Sequence, residues 1–214
     1  MKSRPVSRDA KTINTNKEIR ELHRRELLAT IDGAGLREAP NHPESSGWVV
    51  APSPPMRASA YIGAMKDRAS AHLTGQRAAR TRGRGPKTCD AGCNRPETLG
   101  HISQTCPRTH EARTARHDQV LTQVDGYLCD RGVNTIREPT IRTTAGVRRP
   151  DLLVAVPGLT VVLDAQVVAD NANLEEAHQK KVKYYNTQEL AEAAQAKLGV
   201  SDPVQFSSIT LNWR

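Results

Sequence analysis

Apolar positions recur every three or four residues in three stretches of the chain, and this spacing predicts a helix in each. The helices are expected over residues 15–31, 56–73 and 109–131. Asn14 or Thr15 is the candidate N-cap of the first helix, and Thr109 is that of the third. Between the first two helices, five prolines within residues 40–55 predict an extended connector.

After Gly132, the stop predicted for the third helix, the spacing becomes alternating or continuous, which is typical of strands. Short strands are expected over residues 133–138, 141–147, 151–156, 160–168 and 204–213. Asn173, followed three residues later by Glu176, predicts the N-cap of a further helix. The part of the chain that follows residue 108 is therefore expected to be an α/β domain.

The composition limits the size of the core and the class of protein. The chain has 214 residues, of which 37% are hydrophobic and 3% aromatic, so its core must consist mainly of Leu, Val, Ile and Ala. A large multi-lobed enzyme is excluded. No apolar run approaches the roughly 20 residues of a membrane helix, and the N-terminus lacks the apolar stretch of a signal peptide. We therefore expect neither membrane insertion nor secretion.

The positive charge is concentrated before the first cysteine. The whole chain has 31 Lys+Arg and 23 Asp+Glu, a net charge of +8, but residues 1–88 contain 17 basic and 8 acidic residues. A localised basic surplus favours contact with nucleic acid. Its densest part contains Arg77, Arg80, Arg82, Arg84 and Lys87 and no acid. This segment predicts a mobile arm that binds phosphates, the alternative being a solvated linker.

Three cysteines and a histidine follow this arm in the pattern Cys89-x3-Cys93-x7-His101-x4-Cys106. Three thiolates and one imidazole are the usual ligands of a closed tetrahedral zinc site. Because four protein ligands leave no open position, the zinc site is expected to be structural or to be a zinc knuckle that contacts nucleic acid. The alternative is three unrelated buried cysteines. Cys129 stands apart on the third helix and is predicted to be a core thiol.

Two of the predicted strands each carry one carboxylate. Asp151 begins one strand, and Asp164 lies inside the next, where its burial would be costly unless a partner such as a divalent cation neutralised it. On the helix that follows, Lys180 pairs with Tyr184 and Lys181 with Tyr185 at a spacing of four. Two acids with nearby lysines suit metal-assisted phosphodiester cleavage. The alternative is one Asp at a turn and one buried, hydrogen-bonded Asp.

The order of these motifs resembles the C-terminal end of the polyprotein of early-branching, site-specific non-LTR retrotransposons that carry a restriction-enzyme-like endonuclease. The matching residues are the basic run 80–84, the zinc knuckle, residues 99–110, Arg116-His117-Asp118, Arg149-Pro150-Asp151, Asp164-Ala165 and residues 180–185. The resemblance covers roughly residues 40–190. It implies a PD-(D/E)xK core, a small mixed sheet flanked by helices, preceded by the zinc knuckle and a basic helical leader.

The resemblance also implies roles for individual residues. Asp151 and Asp164 match the acids that bind catalytic Mg or Mn. The usual Lys two residues after the second acid is here Gln166, and the family's lysine has moved to the following helix. The catalytic candidate is therefore Lys180 or Lys181. The supporting tyrosine is Tyr184 or Tyr185, and the implied phosphate or DNA contacts are Arg149, Arg116 and His117.

The activity implied is nicking of target DNA for target-primed reverse transcription in the nucleus. The expected partners are duplex DNA, element RNA and a reverse transcriptase domain in cis. No Asp-Asp pair of such a polymerase occurs in this chain, which is therefore expected to be a fragment. Its expected parts are a leader and connector (1–55), a basic helix and arm (56–88), the knuckle (89–108) and the endonuclease (109–214). The alternative function is a non-catalytic nucleic-acid-binding remnant.

Overall fold

The computed structural model describes residues 15–37, 43–51, 56–83 and 88–213. The chain divides into two compact units, Met1–Leu73 and Thr74–Trp213. Among the described residues, no helix is both long enough and apolar enough to cross a membrane.

The first unit is helical. Its α-helices are α1 (Asn16–Ala29), α2 (Gly47–Val50) and α3 (Ala58–Arg68), with 3-10 turns at Ala34–Leu36 and Pro43–Ser46. Thr15 caps α1 through a capping box with Glu18, which decides between the two predicted N-caps. Part of the predicted extended connector is helical instead. Trp48 of α2 packs edge-on against Tyr61, whose hydroxyl donates to the carbonyl of Val49, so tertiary contacts stabilise this short helix.

The second unit is a small mixed sheet with helices around it. Its helices are α4 (Gly75–Arg82), α5 (Leu99–Gln104), α6 (His110–Cys129), α7 (Leu174–Tyr185) and α8 (Gln188–Leu198). The strands are β1 (Asn134–Arg137), β2 (Ile141–Thr143), β3 (Gly146–Arg148), β4 (Leu152–Val156), β5 (Leu159–Val168) and β6 (Val204–Asn212). The sheet order is β1-β4-β5-β6, with β5 and β6 parallel and the other pairs antiparallel. The α/β expectation is confirmed.

The two faces of the sheet are covered by different helices. On one face, Leu153 and Val162 pack with Tyr185 of α7 and Leu190 of α8 in the main core. Because successive side chains of a strand point to opposite faces, Val161 and Leu163 lie on the other face. There they line an apolar groove together with residues of α6. Asp164 shares the face of Val162, so it points towards α7.

Three expectations for the second unit are wrong in detail. The single strand predicted over residues 141–147 is a hairpin, β2–β3, whose second strand begins at Gly146 with a φ of +108°. Residues 77–82 of the predicted mobile arm are helical, as part of α4, which has Thr74 as its N-cap. Cys129 is exposed rather than buried in the core, with its Sγ 3.6 Å from Thr135 Oγ1.

Helix α8 was not predicted, although it has clear signals in the sequence. Thr187 accepts a hydrogen bond from the backbone N–H of Leu190 as an N-cap, and Gly199 ends the helix in the left-handed conformation. Its buried residues, Leu190, Ala194 and Leu198, are four residues apart and face the sheet. Helix α6 and strand β6 agree with the predicted helix over 109–131 and strand over 204–213 to within two residues.

Candidate functional site

The predicted zinc ligands lie together in the second unit. One ligand atom from each of Cys89, Cys93, His101 and Cys106 lies within 4.8 Å of the others. Cys89 Sγ is 3.7 Å from Cys106 Sγ, and Cys93 Sγ is 3.1 Å from His101 Nε2. Zinc bonds of about 2.0–2.3 Å in a tetrahedron separate their ligands by about 3.3–3.8 Å. The four residues can therefore bind a metal, and the donor set suits zinc.

Local structure explains how the cluster forms. The backbone N–H of Cys89 donates to the carbonyl of Arg95, which closes the turn that holds the first two cysteines. Thr98 caps α5, the short helix that carries His101. His101 Nδ1 lies 3.0 Å from Thr105 Oγ1, so the ring turns Nε2 towards the cysteines. Hydrogen bonds of this kind orient metal-binding histidines.

The cysteine and histidine cluster is joined to the α/β part of the same unit. Gln104 Nε2 donates to the carbonyl of Val168 at the end of β5. From α6, Arg116 donates to the carbonyl of Ser103 and Arg113 to that of Cys106. The sequence predicted Arg116 as a phosphate or DNA contact. In the structure its guanidinium holds α5 against α6.

The two predicted catalytic acids also lie together. Asp151 directly precedes β4, and Asp164 lies on the neighbouring strand β5, because Leu152 pairs with Leu163. Asp151 Oδ2 accepts a hydrogen bond of 2.6 Å from the backbone N–H of Ala165. Burial raises the pKa of Asp151, and the nearby charge of Asp164 adds to this effect. Asp164 is only 3% exposed.

The two candidate lysines have different surroundings. Lys181 Nζ lies 2.7 Å from Asp164 Oδ2, whereas Lys180 is exposed on the surface of α7. Both line a cleft of about 870 Å³ that runs along α7 and is bounded by β5 and the loop that joins them. The side chains around the cleft include those of Gln166, Asn171, Asn173, Glu176, Tyr184 and Tyr185. The structure therefore brings Lys181, and not Lys180, onto the buried acid.

His117 contacts the other acid. Its Nε2 lies 3.2 Å from Asp151 Oδ2 and 3.2 Å from the carbonyl of Ala165, and its Nδ1 lies 3.3 Å from Asp118 Oδ1. Burial lowers the pKa of His117, but hydrogen bonds and charge from the two carboxylates outweigh it and raise the pKa overall. Every neighbour named here is an acceptor, which favours an imidazolium that donates from both nitrogens. The sequence predicted His117 only as a phosphate or DNA contact.

Tyr185 and Gln166 complete the surroundings of Asp164. The Tyr185 hydroxyl donates to the carbonyl of Arg149, and burial, together with the charge of Asp164, raises its pKa far above the usual value. Gln166 stands where a lysine is usual in the PD-(D/E)xK pattern. Its amide donates to the carbonyl of Ala177 in α7 and to Thr210 Oγ1 in β6. Gln166 thus ties α7 to the sheet.

The basic residues predicted to bind nucleic acid are only partly described. Arg77 and Arg80 lie on α4, and Arg149 is exposed two residues before Asp151. The side chain of Arg82, and Arg84 and Lys87 altogether, lie outside the described residues. Tyr184, the other predicted supporting tyrosine, is half exposed beside the cleft.

Comparison with known proteins identifies the family. No family model matches the chain. It is 34% identical to the Retrovirus-related Pol polyprotein from type-2 retrotransposable element R2DM of Drosophila melanogaster, over 88% of this chain and 18% of that protein. Identity to the Pol polyprotein from type-1 retrotransposable element R2 is 33% for Nasonia vitripennis and 32% for Bradysia coprophila. Those matches cover 98% and 89% of this chain, and 21% and 22% of the two relatives.

This chain is homologous to a segment of the R2 retrotransposon Pol polyproteins, as expected for a fragment of such a polyprotein. The predicted resemblance to non-LTR retrotransposon polyproteins is therefore confirmed. The chain spans about a fifth of the length of these R2 Pol relatives. The match to the Nasonia R2 Pol protein covers nearly the whole chain, and it therefore includes both the cysteine and histidine cluster and the two acids.

Proposed function

We propose that this R2 Pol segment is a metal-dependent endonuclease that nicks DNA. The observation that carries the proposal is the convergence of Asp151, Asp164 and Lys181 beside an open cleft. Two carboxylates and an amine at one place are the groups that metal-assisted phosphodiester cleavage requires. The family membership supports the same reading, since retrotransposable elements insert into DNA.

We further propose that the second unit has a restriction-endonuclease-like fold of the PD-(D/E)xK type. Asp151 follows Pro150 at the start of β4, and Asp164 lies on the adjacent antiparallel strand β5, as the pattern requires. The position two residues beyond Asp164 holds Gln166, whose amide is engaged by α7 and β6. Lys181 supplies an amine to Asp164 from α7 instead.

The acidic pair fits a hard divalent cation such as Mg²⁺ or Mn²⁺, because such ions prefer carboxylate oxygens. Within the described part of the chain, no donor makes a hydrogen bond of normal geometry to the buried Oδ2 of Asp164. Its contact with Lys181 is an ion pair, which leaves lone-pair capacity for a cation. When bound, the cation would polarise the phosphate and lower the pKa of a coordinated water.

The protein's own groups would hold and orient this site. His117 and the backbone N–H of Ala165 fix Asp151 Oδ2 from two sides. Lys181 would stabilise the negative charge that develops on a phosphodiester beside Asp164. The Tyr185 hydroxyl donates a hydrogen bond to the carbonyl of Arg149 and so anchors α7 to the segment before Asp151. His117 is thus assigned a positioning role on Asp151.

A plasmid assay tests this proposal. Purified chain, zinc-loaded and supplied with Mg²⁺, is expected to convert supercoiled plasmid to the nicked form. Asp151→Asn and Asp164→Asn variants are expected to abolish nicking, while Asp130→Asn, an exposed acid at the end of α6, retains it. Equal nicking by all four proteins would show that the acids are not catalytic.

A second candidate, a nucleic-acid-binding module without catalysis, is favoured by the arginines Arg77 and Arg80 on α4 close to the zinc cluster in the sequence. Binding is then expected to persist in EDTA at concentrations that leave the zinc in place, and to weaken steeply with salt. Binding by wild type without any nicking under Mg²⁺ or Mn²⁺ would favour this candidate over the first.

In the full polyprotein, we propose that the nick serves element insertion by target-primed reverse transcription. The partners would then be duplex target DNA, element RNA and the reverse transcriptase domain in cis, and the compartment the nucleus. This chain would contribute the DNA-cutting step.

A further inference from the structure

The cleft along α7 has an aromatic ring at one end whose position is fixed by its neighbours. Tyr184 is 50% exposed, and the guanidinium of Arg148 lies 4.5 Å from its ring centroid. The ring of Tyr185 meets it edge-on, with centroids 4.9 Å apart and planes at 84°. Contacts on two sides hold the ring, and half of its surface stays open to solvent.

Each contact is itself held in place. Arg148 also donates to the carbonyl of Ala145, so its guanidinium is tied to its own hairpin. That hairpin is fastened to α8, because Glu189 accepts from both the backbone N–H and the hydroxyl of Thr144. Tyr185 is buried in the main core. Tyr184 is therefore a preorganised flat surface.

The Tyr184 ring is a neighbour, on α7, of the lysine that contacts Asp164. Tyr184 follows Lys181 by three residues on α7, and residues at that spacing are neighbours on a helix surface. Lys181 contacts Asp164, and both Lys181 and Tyr184 line the same cleft. A group stacked on Tyr184 would thus lie next to a phosphate held at the acids.

The rest of the cleft suits a nucleotide. Its volume of about 870 Å³ is large enough for a ligand of that size. The amide side chains of Asn171 and Asn173 lie along its wall, where they offer the polar groups that base edges require. A base that is paired inside a duplex exposes no face for stacking, so the nucleotide must be unpaired.

We propose that Tyr184 stacks on an unpaired base of the DNA strand that is cut, beside the scissile phosphate, and that the cleft along α7 holds this nucleotide. This inference rests on the proposed endonuclease function and specifies its substrate as a locally opened strand. Stacking on aromatic side chains is tolerant of sequence, because every base has a π-face. Target choice would then come from contacts elsewhere.

Photocrosslinking tests the stacking without requiring cleavage. DNA carrying 5-iododeoxyuridine, either single-stranded or fully paired, is irradiated with the zinc-loaded protein, and the attached peptide is identified by mass spectrometry. We expect attachment at Tyr184 with single-stranded DNA, about tenfold more than with paired DNA. The Tyr184→Ala variant should lose it, and Asp164→Asn should keep it. Attachment at other residues only, or equal attachment to both DNAs, would overturn the proposal.

Cleavage supplies a second readout. Once the nick position is mapped on a plasmid, wild type should cut a duplex with a mismatch at the flanking nucleotide faster than a fully paired one. Tyr184→Ala should lose this preference and Tyr184→Trp should keep it. The matched control is Tyr127→Ala, an exposed tyrosine on α6 that also carries an arginine, Arg131, over its ring. A preference that survives in Tyr184→Ala would refute the inference.

The two proposals can fail separately. Absence of nicking by wild type, with crosslinking at Tyr184 intact, would reject the endonuclease and leave the stacking surface supported. Nicking that depends on Asp164, with crosslinks only at residues other than Tyr184, would support the endonuclease and reject the stacking surface.

Discussion

Lys181 Nζ lies 2.7 Å from Asp164 Oδ2, in an ion pair whose two members differ in their access to water. The side chain of Asp164 is 4% exposed and that of Lys181 is 35% exposed. The lysine can swing on its flexible stem towards solvent, whereas the carboxylate cannot leave the face of the sheet. This asymmetry leads to two different predictions, one for catalysis and one for stability.

Substitutions of Lys181 and Lys180 should have different effects on the nicking rate. Lys181→Ala is expected to lower the nicking rate about 100-fold or more, because it removes a positive charge from the place where negative charge develops. Lys180→Ala, the matched control on the adjacent position of α7, should stay within a few-fold of wild type. Rates are measured under single-turnover conditions with Mg²⁺. Equal losses in the two variants would remove Lys181 from the catalytic site.

Stability should respond differently to the loss of each member of the pair. Lys181→Ala leaves a buried carboxylate without its partner and is expected to lower the free energy of unfolding by about 1–3 kcal/mol, less than for a fully buried pair. Asp164→Asn removes the buried charge and should leave the free energy unchanged or raise it. Urea unfolding at neutral pH measures both. A larger loss in Asp164→Asn than in Lys181→Ala would contradict the argument.

His117 should affect cleavage more than DNA binding. Because its Nε2 contacts Asp151 Oδ2, His117→Ala is expected to lower the nicking rate about 10–100-fold and to raise the Mg²⁺ concentration needed for half-maximal rate. The dissociation constant for DNA, measured without added Mg²⁺, should change little. Arg149→Ala serves as the contrast, since an exposed phosphate contact should weaken binding and flatten its salt dependence. A binding defect in His117→Ala without a metal effect would restore the phosphate-contact hypothesis.

The cysteine and histidine cluster, loaded with zinc, should be necessary for the fold of the segment around it. We expect one zinc per chain by elemental analysis, and Cys106→Ser should lose it and unfold at a lower temperature. Cys106 is completely buried, and metal binding supplies folding energy to small units of this kind. Cys129→Ser removes an exposed thiol outside the cluster and should keep both the zinc and the melting temperature. Zinc retained in Cys106→Ser would exclude the assigned ligand set.

The hydrogen bonds between Thr144 of the β2–β3 hairpin and Glu189 of α8 should weaken in mild acid. Hydrogen bonds from the hydroxyl and the backbone N–H of Thr144 lower the pKa of Glu189. The stabilisation is therefore complete above the usual carboxyl pKa of about 4.3 and is lost as the pH falls through the lowered value. The stability difference between wild type and Glu189→Gln should shrink from about pH 6 to about pH 3. Glu192→Gln, whose partner Gln188 lies on the same helix, is the control. A difference independent of pH would exclude the carboxylate as the tether.

Much of the secondary structure could be predicted because its signals are local. Helix α6 and strands β4, β5 and β6 show their periodicity directly, and the N-caps Thr15 and Asn173 need only a hydroxyl or an amide at the right offset. The hairpin β2–β3 and the exposed position of Cys129 were predicted wrongly. Both depend on tertiary packing. The hairpin is held by the contact of Thr144 with Glu189 of α8, and Cys129 lies on a part of α6 that stays exposed. Patterns within one segment do not report such partners.

The sequence alone predicted the cluster of three cysteines and a histidine, the two acids on neighbouring strands and the family, because spacing and residue type are enough to indicate a metal-binding motif. Only the tertiary structure distinguished Lys181 from Lys180 and placed His117 beside Asp151. It also gave Arg116 a structural role on α5. The physical reason is that residues one position apart on a helix point about 100° apart. Which of them meets a buried acid depends on how the helix packs, and a linear pattern does not contain that rotation.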